Sequence, residues 1–275
     1  MKISVLMSLY AKENPHYFDC SMKSIWDDQT RKPDEVVVVE DGPITKELDN
    51  VIVLWQAKIP ILKVIKLEKN CGLAVALNKG ANECDCDYIA RMDTDDISLP
   101  DRFELQEDYL LNHPDIDVLG GGMIEFSDED GELEPRLMPA TTDEIKKMIC
   151  KAGPLVHPSV FIKKDLFKQG YSYNPNCRRN QDLDFWFRLL AAGFKIENLE
   201  KVLIKYRKDP NLYKKRKKSA LAELKIVFRG IYSIYGLFTW RYVFPILHFM
   251  FRLLPAKWCL YLYKKIILNI WSNKK

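Results

Sequence analysis

Tyr88-Ile89-Ala90-Arg91-Met92-Asp93-Thr94-Asp95-Asp96 sets a five-residue, mostly apolar run directly before three acids. A run of that length reads as a buried strand, and the acids as the polar groups that follow its carboxyl end. The same arrangement recurs upstream. Residues 3–9, 35–39 and 61–67 are rich in β-branched side chains and too continuously apolar to leave one face wet. Between these runs, residues 17–28, 45–58 and 73–84 carry apolar side chains at helical spacing. The βαβ repetition predicts an α/β fold, a mostly parallel sheet with helices on both faces. Ligands of such sheets bind beyond the carboxyl ends of the strands. The candidates are therefore Ser8 and Tyr10, then Glu40, Asp41 and Gly42, then Asn70 and Gly72, then Asp93, Asp95 and Asp96.

Turn chemistry explains any one of these positions, since Asp, Asn and Gly are turn formers. It does not explain three acids in four residues, which repel each other unless they share a cation. Asp93 and Asp95 are two apart, so in extended backbone both carboxylates leave the same side and reach one hard cation, Mg or Mn. Such an ion lets an acidic surface hold an anionic diphosphate, which matters because charge is unevenly spread. Residues 201–275 hold 18 Lys and Arg against 2 Asp and Glu, a balance of +16, whereas the first 200 carry −12 within a total of +4. The basic end would be drawn to phosphates of nucleic acid or of an anionic membrane.

With 275 residues, 47% of them hydrophobic, the chain buries a sizeable core and is not disordered. Seven Cys without paired CxxC spacing exclude a disulfide framework and point to a reducing cytosol. Beyond the βαβ region, residues 101–112, 142–151, 165–168 and 181–192 read as helices, 118–121 as a strand and 127–139 as a polar loop. From Tyr213 onward, basic and aromatic stretches predict a helical appendage. Cys84-Asp85-Cys86 and four scattered His lack zinc spacing, and neither a Walker pattern nor GxGxxG occurs.

Ser4-Val5-Leu6-Met7-Ser8-Leu9-Tyr10, Val38-Val39-Glu40-Asp41-Gly42, Asn70-Cys71-Gly72-Leu73-Ala74 with Ala76-Leu77-Asn78, and the Tyr88 to Asp96 stretch, in this order, resemble the family 2 glycosyltransferases of the GT-A fold. Asn180-Gln181-Asp182-Leu183-Asp184-Phe185-Trp186-Phe187-Arg188 resembles the family's ED motif and the aromatic and Arg positions after it. The resemblance spans about the first 200 residues. It implies a catalytic domain over 1–210, with a nucleotide-sugar half to about residue 100 and an acceptor half after it, and leaves 211–275 as a helical, membrane-associating tail. Ser8 and Tyr10 then fall on the base pocket, Asp41 on the base itself, Asn70 on the nucleotide sugar, and Asp93, Asp95 and Asp96 on ribose and metal-diphosphate. Asp182 falls on the catalytic base, and His157, Asp184 and Trp186 on the acceptor side. Gln181 stands where an acid usually precedes the base, and Leu77 where Arg is frequent.

The implied activity is inverting, metal-dependent transfer of a sugar from a nucleotide donor, UDP-linked, to a glycan or polyprenyl-diphosphate-linked saccharide in surface polysaccharide assembly. Its expected place is the cytoplasmic face of the membrane. Asp182 opens a helix, where the macrodipole lowers carboxylate basicity, so burial or a nearby acid such as Asp184 has to compensate. Residues 231–254 are long enough for a membrane span, but Arg241, Pro245, His248 and Arg252 interrupt them. Trp240, Tyr242, Trp258, Tyr261, Tyr263 and Trp271 among basic residues suggest an interfacial anchor instead; a basic hairpin packed on the catalytic domain is the competing reading. Three other functions are weighed. A sugar-nucleotide pyrophosphorylase needs a Gly-rich, Arg-containing loop that Ser8 to Lys12 does not provide. A nucleic-acid module needs a reader motif that the basic end lacks. An inactive sugar-nucleotide sensor is at odds with intact Asp93, Asp95 and Asp182.

Overall fold

The computed structural model describes residues 1–129, 131–208 and 212–253, by backbone alone at 212–218 and 253. Its strands are β1 Ile3–Leu9, β2 Glu35–Glu40, β3 Leu62–Lys66, β4 Tyr88–Arg91, β5 Ile97–Ser98, β6 Val118–Ser127, β7 Gly131–Glu132, β8 Phe161–Lys163 and β9 Ile196–Arg207. Its helices are α1 Pro15–Ile25, α2 Lys46–Lys58, α3 Leu73–Glu83, α4 Arg102–Asn112, α5 Thr142–Ile149, α6 Lys164–Lys168, α7 Gln181–Ala191, α8 Leu212–Tyr235 and α9 Val243–Leu253. Local chemistry fixes several helix starts: Asn14 accepts from the His16 and Tyr17 amides ahead of Pro15, and Thr141 with Glu144 forms a capping box on α5.

One sheet runs β3-β2-β1-β4-β8-β6-β9-β5, with β7 paired to β6. β1 to β4 are parallel, as the βαβ pattern requires; β8 enters antiparallel to both β4 and β6, and β9 lies parallel to β6. Alternation along the strands feeds two cores. Val5, Met7 and Leu9 face α1, α2 and α4, while Leu6, Val37, Val39 and Ile89 face α3, α5 and α7.

Four expectations change. β3 is an edge strand with Lys63 and Lys66 exposed, so it is not buried on both faces. β6 continues six residues past Gly121, because its far half pairs with β9 and is only half-buried. The polar stretch 127–139 contains β7 and a bridge from Met123 to Arg136. β5, β8 and β9 are additional strands. β9 escapes the apolar signal because Glu197, Glu200 and Lys201 interrupt it around a register shift opposite Gly121 and Gly122.

The beginning of the basic end is helical, as expected, and its first helix packs on the catalytic domain. Ile226, Val227 and Ile231 of α8 are buried in the same core as Phe187 and Leu190 of α7. Gly230 lies against the Phe187 ring so closely that a Cβ there would come within 2.2 Å of it. Of the expected span 231–254, the described residues 231–253 form no continuous helix. α8 stops at Tyr235, Gly236 takes φ +75°, a 3-10 turn covers Trp240–Tyr242, and α9 follows. Among the described residues no helix is long and apolar enough to cross a membrane. Trp258, Tyr261, Tyr263 and Trp271 lie outside them.

Candidate active site

The carboxyl ends of β1, β2 and β4 converge as the parallel order predicts. Ser8 is half-buried near the end of β1 and Tyr10, just beyond, is exposed. Asp41 is buried, and its carboxylate accepts the backbone N–H groups of Cys71 at 2.6 Å and Gly72 at 2.9 Å. Asn70 Nδ2 donates back to the Asp41 carbonyl at 3.1 Å. Asp41 thereby ties the β2 loop to the start of α3 as well as lying at the strand end. Gly42 is needed for this closure: its φ is +86°, and a Cβ would sit 2.5 Å from the Asn70 nitrogen.

Past β4, one oxygen from each of Asp93, Asp95 and Asp96 lies within 4.8 Å of the others. Burial and the neighbouring acids push Asp95 up to about 6 and Asp96 well above the usual carboxylate range. Asp96 Oδ1 accepts the Arg207 backbone N–H at 2.7 Å, while its buried Oδ2 has no partner. Crowded oxygen donors, costly to ionise together and with one buried acceptor unspent, are the donor set a hard divalent cation takes. The three acids fit Mg or Mn.

Two arginines frame this cluster. Arg91, buried in β4, pairs with Asp93, and its Nε and Nη1 have no partner. Arg207 at the end of β9 donates through Nε to the Asp95 carbonyl at 3.0 Å and through Nη1 to Asp128 at 2.7 Å. Its guanidinium sits 3.7 Å from the Tyr17 ring centroid and 4.4 Å from that of Phe126. Neither arginine is among the site residues expected from the sequence. Arg91 carried a signal, a charge inside an apolar strand; Arg207 carried none, because its partners lie 79 and 112 residues away.

Asp182 is half-buried in the first turn of α7. Burial raises its affinity for a proton, and Asp93 adds to the rise, while the Leu183 backbone N–H and Arg91 pull the other way. Desolvation therefore outweighs the helix start. Before it, Asn180 is held at φ 54°, ψ 31° and donates to Glu223 of α8 at 3.1 Å. His157, in a 3-10 turn, exchanges a hydrogen bond with the Tyr173 hydroxyl at 2.8 Å and meets the Trp186 ring edge-on. Burial, with Arg91 nearby, holds His157 well below the usual imidazole range, so it is neutral.

The structure does not bring Asp184 and Trp186 to a ligand-facing surface. Asp184 is buried against Arg188 at 2.9 Å, with Arg229 of α8 at 4.0 Å, and Trp186 is core, with its Nε1 unpartnered. Both are buried because α7 is covered on nearly all sides, whereas Asp182, in its first turn, is half-buried.

A cation-fitting acidic turn beyond the carboxyl ends of a parallel sheet, with a carboxylate of raised proton affinity nearby, suits metal-assisted group transfer. The chain belongs to the glycosyl transferase family 2, whose model matches residues 4–170; it is a glycosyltransferase of the GT-A fold. It is 34% identical to the amylovoran biosynthesis glycosyltransferase AmsE of Erwinia amylovora, over 95% of this chain and 98% of that one. It is 33% identical to the UDP-Gal:alpha-D-GlcNAc-diphosphoundecaprenol beta-1,3-galactosyltransferase of Escherichia coli, over 97% and 96%. The mannosyltransferase PcManGT of Pyrobaculum calidifontis, solved with GDP-Man and Mn2+, superposes with a TM-score of 0.64 at 15% identity, over 94% of this chain and 72% of that one.

Proposed function

We propose that this glycosyltransferase moves one hexosyl or N-acetylhexosaminyl residue, with inversion, from a UDP-sugar to a polyprenyl-diphosphate-linked saccharide or glycan at the cytoplasmic face of the membrane, in surface polysaccharide assembly. The observation that carries the reading is the pairing of a cation-fitting triad, Asp93, Asp95 and Asp96, with Asp182, a half-buried carboxylate that feels Asp93. The lipid-linked acceptor and the UDP donor rest on likeness to the galactosyltransferase of Escherichia coli.

Asp182 takes the proton from the acceptor hydroxyl as that oxygen bonds to the anomeric carbon and the bond to the diphosphate oxygen breaks. Its raised proton affinity suits the role, since a base must hold the proton it takes. The triad would hold Mn or Mg, which when bound offsets the charge building on the departing diphosphate. Arg91 keeps Asp93 oriented, and Ser8, Tyr10, Asp41 and Asn70 form the side on which the base and ribose lie. Neutral His157 lines the acceptor side as a hydrogen-bonding group, not as a charge.

The test is incubation with a panel of nucleotide sugars and Mn, with and without a polyprenyl-diphosphate-linked monosaccharide. Released UDP and an extended lipid-linked product are expected from one donor. Turnover of no UDP-sugar, or equal rates in excess chelator, would overturn the donor or the metal assignment respectively.

A further inference from the structure

The turn before α9 and one side of that helix leave large apolar side chains in solvent. Leu237, Trp240, Leu247 and Met250 are 64, 64, 57 and 59% exposed, and Phe238 is 97% exposed. Val243, Leu247 and Met250 recur at i, i+4 and i+7, one helical face. Basic groups border it. The Arg241 guanidinium lies 4.0 Å from the Tyr235 ring centroid, and Lys151 Nζ lies 4.9 Å from that of Phe244. The Tyr235 hydroxyl donates to the Lys146 carbonyl at 2.7 Å, which brings the end of α5, with exposed Lys147, alongside.

We propose that this face docks on an anionic bilayer, its apolar side chains at the headgroup boundary and its basic rim on lipid phosphates. The reading deepens the assignment of a lipid-borne acceptor and rests on it only for its purpose. Charge selects the occupant. A second copy placed face to face would bring Arg241 and Lys151 against their own equivalents, whereas anionic headgroups satisfy them, and the +16 balance of residues 201–275 acts in the same direction. Composition selects the mode. Pro245, His248 and Arg252 interrupt the apolar residues of α9, and polar or charged groups at membrane depth are costly, so the helix lies in the interface.

The full chain is tested by pelleting with vesicles of phosphatidylcholine alone or mixed with phosphatidylglycerol, beside a Phe238→Ser, Leu247→Ser double variant. Both positions are exposed, so the variant should melt like the parent. The parent should bind the mixed vesicles, partly reversibly with salt, and the variant should partition about ten-fold or more weakly. UDP-sugar hydrolysis in water should be equal for both. Undiminished binding by the variant would overturn the proposal and assign docking to residues 254–275. A parent that ignores vesicles, or dimerises through this face, overturns it as well. Vesicle binding that follows the face in a protein turning over no nucleotide sugar would leave the docking surface standing and remove the function above.

Discussion

Asn180 donates through its side-chain amide to Glu223 at 3.1 Å, so a helix beyond the family match holds the residue two places before Asp182. Among the described residues Asn180 is the one non-glycine at positive φ, a conformation that persists where neighbours enforce it. Glu223 is itself paired with Arg252 of α9. Glu223→Ala should lower kcat by roughly 10-fold, within the ~10²-fold that a 1 Å misplacement costs, with donor KM almost unchanged. Glu223→Gln keeps an acceptor for Asn180 and should recover most of the rate. Parallel losses in kcat and donor affinity would instead mark a general weakening of the fold.

Asp182→Asn keeps shape and removes basicity. A fall in kcat of about 10²-fold or more is expected, with donor binding intact. Burial raises the proton affinity of Asp182, and the ionised form is the active one. The acid limb of kcat in the parent should therefore lie above the ordinary Asp range near pH ~4, and activity is lost as pH falls through it. A pH–rate profile checks both: an unshifted limb, or an unchanged Asn variant, removes Asp182 from the chemistry.

The parallel half of the sheet was legible because its strands are short, mostly apolar runs separated by helical patterns, and the acidic turn because its three acids are neighbours in sequence. The other half was legible only at the start of β6. β8 has only three residues, and β9 mixes Lys and Glu with its core positions Ile196, Leu203 and Ile204. Contacts between distant residues were likewise invisible. Arg207 reaches Asp95 and Asp128, and Glu223 reaches Asn180, through pairings that no local spacing encodes. Motif position puts Asp184 and Trp186 on the acceptor side, but α7 is covered on nearly every side, by α8 among others, and it is the first turn, at Asp182, that stays half-exposed.

Metal removal should leave a pH signature in stability. Asp95 titrates near 6 in the folded chain and Asp96 higher than an ordinary carboxylate, while unfolded Asp titrates near ~3.9. A folded value above the unfolded one means that the native state binds the proton more tightly. The penalty is therefore absent below pH ~4 and complete once pH has risen through the folded values. In chelator, the melting temperature should fall as pH rises from about 5 to about 7.5, and Mn should reverse the fall. Asp95→Asn should flatten the slope and abolish the Mn shift. A Mn-independent melting curve in the parent would reject the triad as the cation site.

The boundary of the folding unit is the last matter that truncation decides. Ile226, Val227 and Ile231 are 6, 6 and 0% exposed and share a core with α7. Burial of such side chains contributes about 1.5–3 kcal/mol each, so three come to roughly 5–9 kcal/mol, comparable to the ~5–15 kcal/mol total stability of a domain. A chain ending at Arg207 also uncovers Phe187, which rests on Gly230, and leaves Asp184 without Arg229. It should aggregate, or melt non-cooperatively, and fail to bind UDP. A chain ending at Gly236 keeps all of α8 and loses the turn and α9, whose apolar side chains are largely exposed, together with residues 254–275. It should melt cooperatively and bind UDP, with kcat reduced through the lost Arg252–Glu223 pair, and no longer pellet with anionic vesicles. Gel filtration, thermal melting and UDP titration of the two chains separate the cases. If the chain ending at Arg207 folds and binds UDP like the parent, α8 is an appendage after all and the family-matched region is self-sufficient.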